Sequence, residues 1–258
     1  MLIALEDAGI RPDVIIGTSV GAVNGAWIAG GRSAVELAQL WRTLRRSDVY
    51  PIDLVLGFLG FIGLRDHLVS DGPLRRLLSA YLAFERMEDA AVPFHVVATD
   101  VLTGRDLRLG TGSAIDAVLA SAAIPGIFPP VTIDGVELMD GGIANNTPIS
   151  HAVTLGADEV WVLSTGHACG LTKPPHTALS MMLHAFSVAI EERLNLDIEE
   201  YAETVDLKVV PPLCPVNVLP TDFGQSARLI DAARAQTVEW MQRQDIDAAT
   251  SELGHRHP

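Results

Sequence analysis

The chain has 258 residues, enough for one sizeable α/β core. Apolar residues make up 48% and charged residues 19%, which excludes a disordered chain, and the 5% aromatic share leaves Ala, Leu, Val and Ile to fill the core. A formal net charge of −14 with no Lys/Arg-rich run argues against nucleic acid as a partner, so any lipid contact must come from apolar surface.

In chain order, Met1 to Ala8 has apolar residues at helical spacing, with Gly9 placed as a C-cap. Asp13 to Ile16 is a short apolar run that predicts a buried strand, and Gly17 to Gly21 a tight turn into a helix over Ala22 to Ala29. Ser33 and Glu36 form a capping box that opens a helix to Arg45. Tyr50 to Ser70 is expected to be irregular and is unusually apolar. Its run Leu54 to Leu64 has eleven residues, about half of what a membrane-spanning helix needs. Asp71-Gly72-Pro73 opens a helix through Tyr81. Phe94 to Thr99 predicts a strand with a hairpin partner over Arg105 to Leu109, and Ser113 to Ala122 a helix.

Val131 to Ile133, Asp134-Gly135 and Val136 to Met139 give a second hairpin with a type I′ turn. A helix over Asn146 to Leu155, a strand over Glu159 to Ser164, a long helix over Thr177 to Glu200, a strand over Leu207 to Val210 and a helix over Ser226 to Gln244 complete the pattern. The long helix, with Met181, Met182, Leu183 and Phe186, is expected to belong to the core. Strands alternate with helices, which predicts one α/β domain over residues 1–250 with a mostly parallel central sheet, and a disordered tail over 251–258. Cys169 and Cys214 fit no disulfide framework and are expected as reduced thiols. Met1 to Ile10 has no basic segment of a secretory leader, so a cytoplasmic location, peripheral at a membrane, is expected.

The chemistry centres on Gly17-Thr18-Ser19-Val20-Gly21, which fits G-x-S-x-G. Such a match arises by accident in roughly one chain in ten of this length. Its setting is more specific, because it follows a strand and opens a helix as a nucleophile elbow must. The turn would expose the Ser19 hydroxyl at a helix N-terminus, whose partial positive charge favours a developing alkoxide and oxyanion. The alternative is a structural turn in which Ser19 only caps the helix. Eight histidines are present, none in a distinctive motif, and His95 within a strand fits a satisfied core residue. The competing base is Asp140, at a strand end before Gly141 and Gly142, although Asp-Gly is also a common turn dipeptide.

Three blocks together resemble the patatin-like phospholipase family: Ala4 to Gly25, Ala120 to Pro129 (ASAAIPGIFP), and Val136 to Pro148 (VELMDGGIANNTP). The resemblance runs clearly to about Ser164. It implies a patatin-like three-layer α/β/α fold and a Ser–Asp dyad without a catalytic histidine, in which Ser19 attacks an ester carbonyl and Asp140 takes its proton. Gly141 and Gly142 would let the chain pass close to Ser19. That family places a strand and a Gly-rich oxyanion loop before its first helix. This sequence starts inside the equivalent of that helix, which leaves the Val20 N–H as the expected donor and favours a true start upstream of Met1. The expected substrate is a phospholipid, lysophospholipid or other fatty acyl ester, met through transient contact with a membrane surface. Leu54, Leu56, Phe58, Leu59 and Phe61 are the candidate acyl-chain contacts, with a buried helix as the equal alternative. No metal-site spacing and no nucleotide motif is present, so no metal and no cofactor is expected. Two other readings stay open: a lipid-binding protein without turnover, and an esterase with a Ser-His-Asp triad.

Overall fold

The computed structural model describes residues 1–51, 54–164, 174–214, 216, 218 and 222–254. The chain opens with α1 (Leu2–Asp7), β1 (Ile15–Thr18) and α2 (Val20–Ala29), followed by α3 (Ala34–Thr43), α4 (Arg46–Val49), α5 (Leu54–Phe61) and α6 (Gly72–Tyr81). Next come β2 (Phe94–Asp100), β3 (Asp106–Leu109), α7 (Ala114–Ser121), β4 (Val131–Ile133) and β5 (Val136–Asp140). The remainder is α8 (Gly142–Asn145), α9 (Ile149–Thr154), β6 (Glu159–Leu163), α10 (Ala178–Tyr201), β7 (Asp206–Val210) and α11 (Ser226–Gly254). Local sequence sets several of these boundaries. The Ser33–Glu36 capping box starts α3, and Asp134 and Gly135, at φ 50° and 81°, make the turn between β4 and β5.

β2, the longest strand, is the hub of a five-stranded sheet. β1 runs parallel to it, with Thr18 opposite Val97, whereas β5 runs antiparallel to it, with Asp140 opposite Ala98. β3 pairs with Val96 to Thr99 of the same strand. A strand has two hydrogen-bonding edges and β3 occupies one of them over that stretch, so β1 and β5 must share the other. They meet end to end there, β1 arriving from one direction and β5 from the other.

The dry face of this sheet packs Phe94 and Val96 against α2, α6 and α7 in one apolar cluster. A smaller cluster joins Ala98, Ala120 and Leu138. On the opposite side α10 lies over α8 and α9, and Ile149, Val162 and Leu194 close a third cluster over β6 and β7. Helices thus cover both faces, the three-layer arrangement expected.

Several expectations need correction. Among the described residues three of the four strand pairs of the five-stranded sheet are antiparallel, and β6 and β7 form a separate parallel pair, so the central sheet is mixed rather than mostly parallel. The two hairpins account for two of the antiparallel pairs, since a tight turn can only reverse the chain. Leu54–Phe61 is a helix, not an irregular stretch. The closing helix extends to Gly254, past Gln244, and residues 255–258 lie outside the described residues. Met181 and Met182 are exposed rather than in the core, and the side chain of Leu183 lies outside the described residues. Cys214 is disulfide-bonded instead of reduced, and Cys169 lies outside the described residues.

Candidate active site

The end-to-end meeting of β1 and β5 brings Ser19 and Asp140 together. The Ser19 hydroxyl donates to Asp140 Oδ2 at 2.6 Å. It makes no capping bond to its own helix, so a capping role does not account for the residue. Its backbone, at φ 53° and ψ −125°, lies where a residue with a Cβ is strained by about 1–3 kcal/mol. Gly17 permits that turn, because a Cβ there would stand 2.6 Å from Ala22 Cα and 2.7 Å from Ala22 N. Gly21 has no such duty, since its missing Cβ would meet nothing within 4 Å. Val20 is the first residue of α2, where helix geometry gives an N–H no internal acceptor.

Asp140 is only 1% exposed, and both carboxylate oxygens are engaged. Oδ2 accepts from Ser19, and Oδ1 accepts from the Gly142 N–H at 2.7 Å. Burial pushes its pKa up to about 6, against the two hydrogen bonds that pull it down. The backbone around it is fixed at three points. Asp140 N donates to Ala123 O, Thr99 Oγ1 donates to Asp140 O, and Gly141 N donates to Ser121 O. At Gly141 a Cβ would stand 2.6 Å from the Val97 carbonyl carbon and 2.9 Å from Thr18 Cγ2. At Gly142 it would stand 3.4 Å from Phe186 Cζ, which puts that α10 ring beside the carboxylate segment.

Among the described residues no histidine hydrogen-bonds to Ser19 or Asp140. His151 pairs instead with Asp106, which also accepts from Asn145. His95 is half-buried, and its buried Nδ1 has no partner among the described residues, so it is not the satisfied core residue expected; desolvation followed by the nearby Arg108 charge lowers its pKa. No group of three or more potential metal ligands occurs among the described residues.

The apolar stretch reaches the site through its flanks. Before α5, Tyr50 stacks on Phe128 with ring centroids 5.4 Å apart, and its pKa is raised by burial and by the charge of Asp140. After α5, the Leu68 and Val69 N–H groups donate to Ile127 O. Both flanks therefore rest on residues 124–128, the loop that follows Ser121. Of the candidate acyl-chain contacts, Leu56 and Leu59 are half-buried and Phe61 is 85% exposed, while the side chains of Leu54 and Phe58 lie outside the described residues. Ser121 and Phe128 lie in the block Ala120 to Pro129 of the family resemblance, whereas Tyr50 and Phe186 carry no local motif of their own.

Residues 1–153 match the family model described as patatin-like phospholipase. The chain is 31% identical over 168 residues to "Patatin-like phospholipase domain-containing protein 6" of Mus musculus, covering 64% of this chain and 12% of that protein. It is 32% identical over 179 residues to domain-containing protein 7 of the same description in Rattus norvegicus, covering 64% and 12%. "Lysophospholipase nte1" of Aspergillus terreus is 27% identical over 174 residues, covering 63% and 10%. The match thus spans about one eighth or less of the length of these curated relatives.

Proposed function

The chain belongs to the patatin-like phospholipase family, and from that premise we propose that it is a serine acyl hydrolase using Ser19 and Asp140 as a dyad. The single observation that supports this most is the 2.6 Å hydrogen bond from a strained, uncapping serine to a buried carboxylate. An ordinary Asp is a poor base, about 2.6 pK units below His. With its pKa raised to about 6, Asp140 comes within roughly half a unit of an imidazole.

The reaction then runs in two halves. Ser19 Oγ attacks the ester carbonyl while its proton passes to Asp140 Oδ2. The Val20 N–H, at the positive end of α2, stabilises the oxyanion. Asp140 returns the proton to the leaving alcohol as the tetrahedral species collapses to an acyl-enzyme. Water attacks that ester next, Asp140 takes its proton, and the proton returns to Ser19 as the fatty acid leaves.

The substrate class we infer is a lysophospholipid or related fatty acyl ester, the chemistry named in one of the relatives. Exposed Phe61 and Leu64, on a segment anchored at both ends beside the site, support transient insertion into a lipid surface. Among the described residues no helix is long and apolar enough to cross a membrane.

The test is fluorophosphonate labelling and fatty acid release from lysophosphatidylcholine by the full chain, with Ser19→Ala and Asp140→Asn in parallel. Labelling lost in the first variant and strongly reduced in the second is the expected result. Release that persists in Ser19→Ala would refute the dyad. Loss of release on a single His→Ala change, with Asp140→Asn still active, would favour a triad.

A further inference from the structure

We propose that Ser121 is a positioning residue of the acyl-transfer site, its hydroxyl holding the Ser19 backbone in the turn that aims Oγ at Asp140. The inference rests on the dyad reading and adds to it a second serine, whose hydroxyl does not touch the substrate.

Ser121 is the last residue of α7 and is fully buried. Its Oγ donates to Val97 O at 2.6 Å and accepts from the Ser19 N–H at 3.0 Å. Its own carbonyl accepts from the Gly141 N–H at 3.3 Å. One residue therefore touches the backbone of the nucleophile, the backbone beside the base, and the strand against which both are aligned. The roles are fixed. A hydroxyl has one proton, Val97 O takes it, and only a lone pair remains for Ser19.

The geometry explains why such a clamp matters. Ser19 is one of two non-glycine residues with positive φ among those described. The peptide after Ser19 is held by α2, whose Ala22 and Val23 N–H groups bond to Ser19 O. The peptide before it is held by Ser121. Both planes must be fixed for the strained torsions between them to persist. Removing the hydroxyl would leave the Ser19 N–H and Val97 O each short of a partner in a buried place. The turn would then relax toward negative φ and carry Oγ away from Asp140.

The experiment compares Ser121→Ala with Thr237→Val in the full chain, using a soluble short-chain ester. Thr237 is also a buried hydroxyl, but it bonds within its own helix to Ala233 O. Both variants are expected to melt earlier than wild type. Ser121→Ala alone should lower kcat by roughly 10- to 100-fold with KM unchanged, as misplacement of a reacting group does. The acid limb of its kcat/KM profile should also move to higher pH, because Asp140 loses the Ser19 hydrogen bond that holds its pKa down.

If wild type is not labelled at Ser19, the dyad reading fails and this inference fails with it. If wild type is labelled at Ser19, and Ser121→Ala keeps the kcat and acid limb of the Thr237→Val control, the positioning role alone is overturned. Should Ser121→Ala not fold, Ser121→Cys keeps a weaker acceptor at the same place and should show an intermediate kcat with the limb moved the same way. A folded Ser121→Cys with wild-type kcat and limb would overturn the proposal equally.

Discussion

Gly141 lies against Val97 so closely that a Cβ on Gly141 would stand 2.6 Å from the Val97 carbonyl carbon. The obstacle is backbone of the central strand, so no side chain can swing aside. Gly141→Ala is expected to cost about 3 kcal/mol, the upper end of overpacking, and to abolish labelling of Ser19 in any folded fraction. Gly21→Ala has open space and a helical position, and should keep or slightly raise the melting temperature. Thermal melts of the two variants beside wild type check the contrast.

The raised pKa of Asp140 sets the pH dependence. A general base must be ionised, so kcat/KM should climb as pH rises through about 6 and level off above it. An ordinary carboxylate would place that limb near 4. Rates on a soluble ester between pH 4 and 8 measure it, and a limb at 4 would show that the acid in control is not the buried one.

The same burial makes the charge costly to the fold. In the folded chain Asp140 holds its proton up to about pH 6, whereas in the unfolded chain it releases it near 3.8. Folding is therefore favoured by the full amount below 3.8, and that contribution is lost as pH rises toward 6, amounting to about 3 kcal/mol. Asp140→Asn removes the charge while keeping the shape, so it should melt higher than wild type at pH 7 to 8 by about 1–3 kcal/mol. Below pH 4 the gain should shrink toward zero. Denaturation at both pH values decides.

Phe61 and Leu64, 85% and 69% exposed, carry the membrane reading. Each large apolar side chain that leaves water contributes about 1.5–3 kcal/mol. Phe61→Ser with Leu64→Ser should weaken partition onto neutral phosphatidylcholine vesicles by tenfold or more. Turnover of a soluble ester should fall far less. Vesicle cosedimentation paired with both assays separates lipid contact from chemistry.

Much of this arrangement is written locally in the sequence. Gly17 to Gly21 lies between a strand and a helix, Asp140 ends a strand after a hairpin whose turn is visible in Asp134-Gly135, and the capping box of Ser33 and Glu36 starts its helix. Each of these depends on neighbours within a few residues. The bond from Ser19 to Asp140 spans 121 positions and that from Ser19 to Ser121 spans 102, so no periodicity encodes either. The stacking of Tyr50 on Phe128 is equally nonlocal. Alternation of strands and helices suggests parallel crossovers, whereas the hairpins β2–β3 and β4–β5 set antiparallel pairs.

The head-on meeting of β1 and β5 along one edge of β2 frees the reactive pair from the length of the chain between its members. Their separation is set by two short registers, Thr18 on Val97 and Asp140 on Ala98. The segments in between can grow, shrink or be exchanged at their exposed turns without altering it, as long as β2 and its two registers persist. Variation can therefore accumulate in the loops while one strand, serving as a ruler, keeps Ser19 and Asp140 at hydrogen-bonding distance.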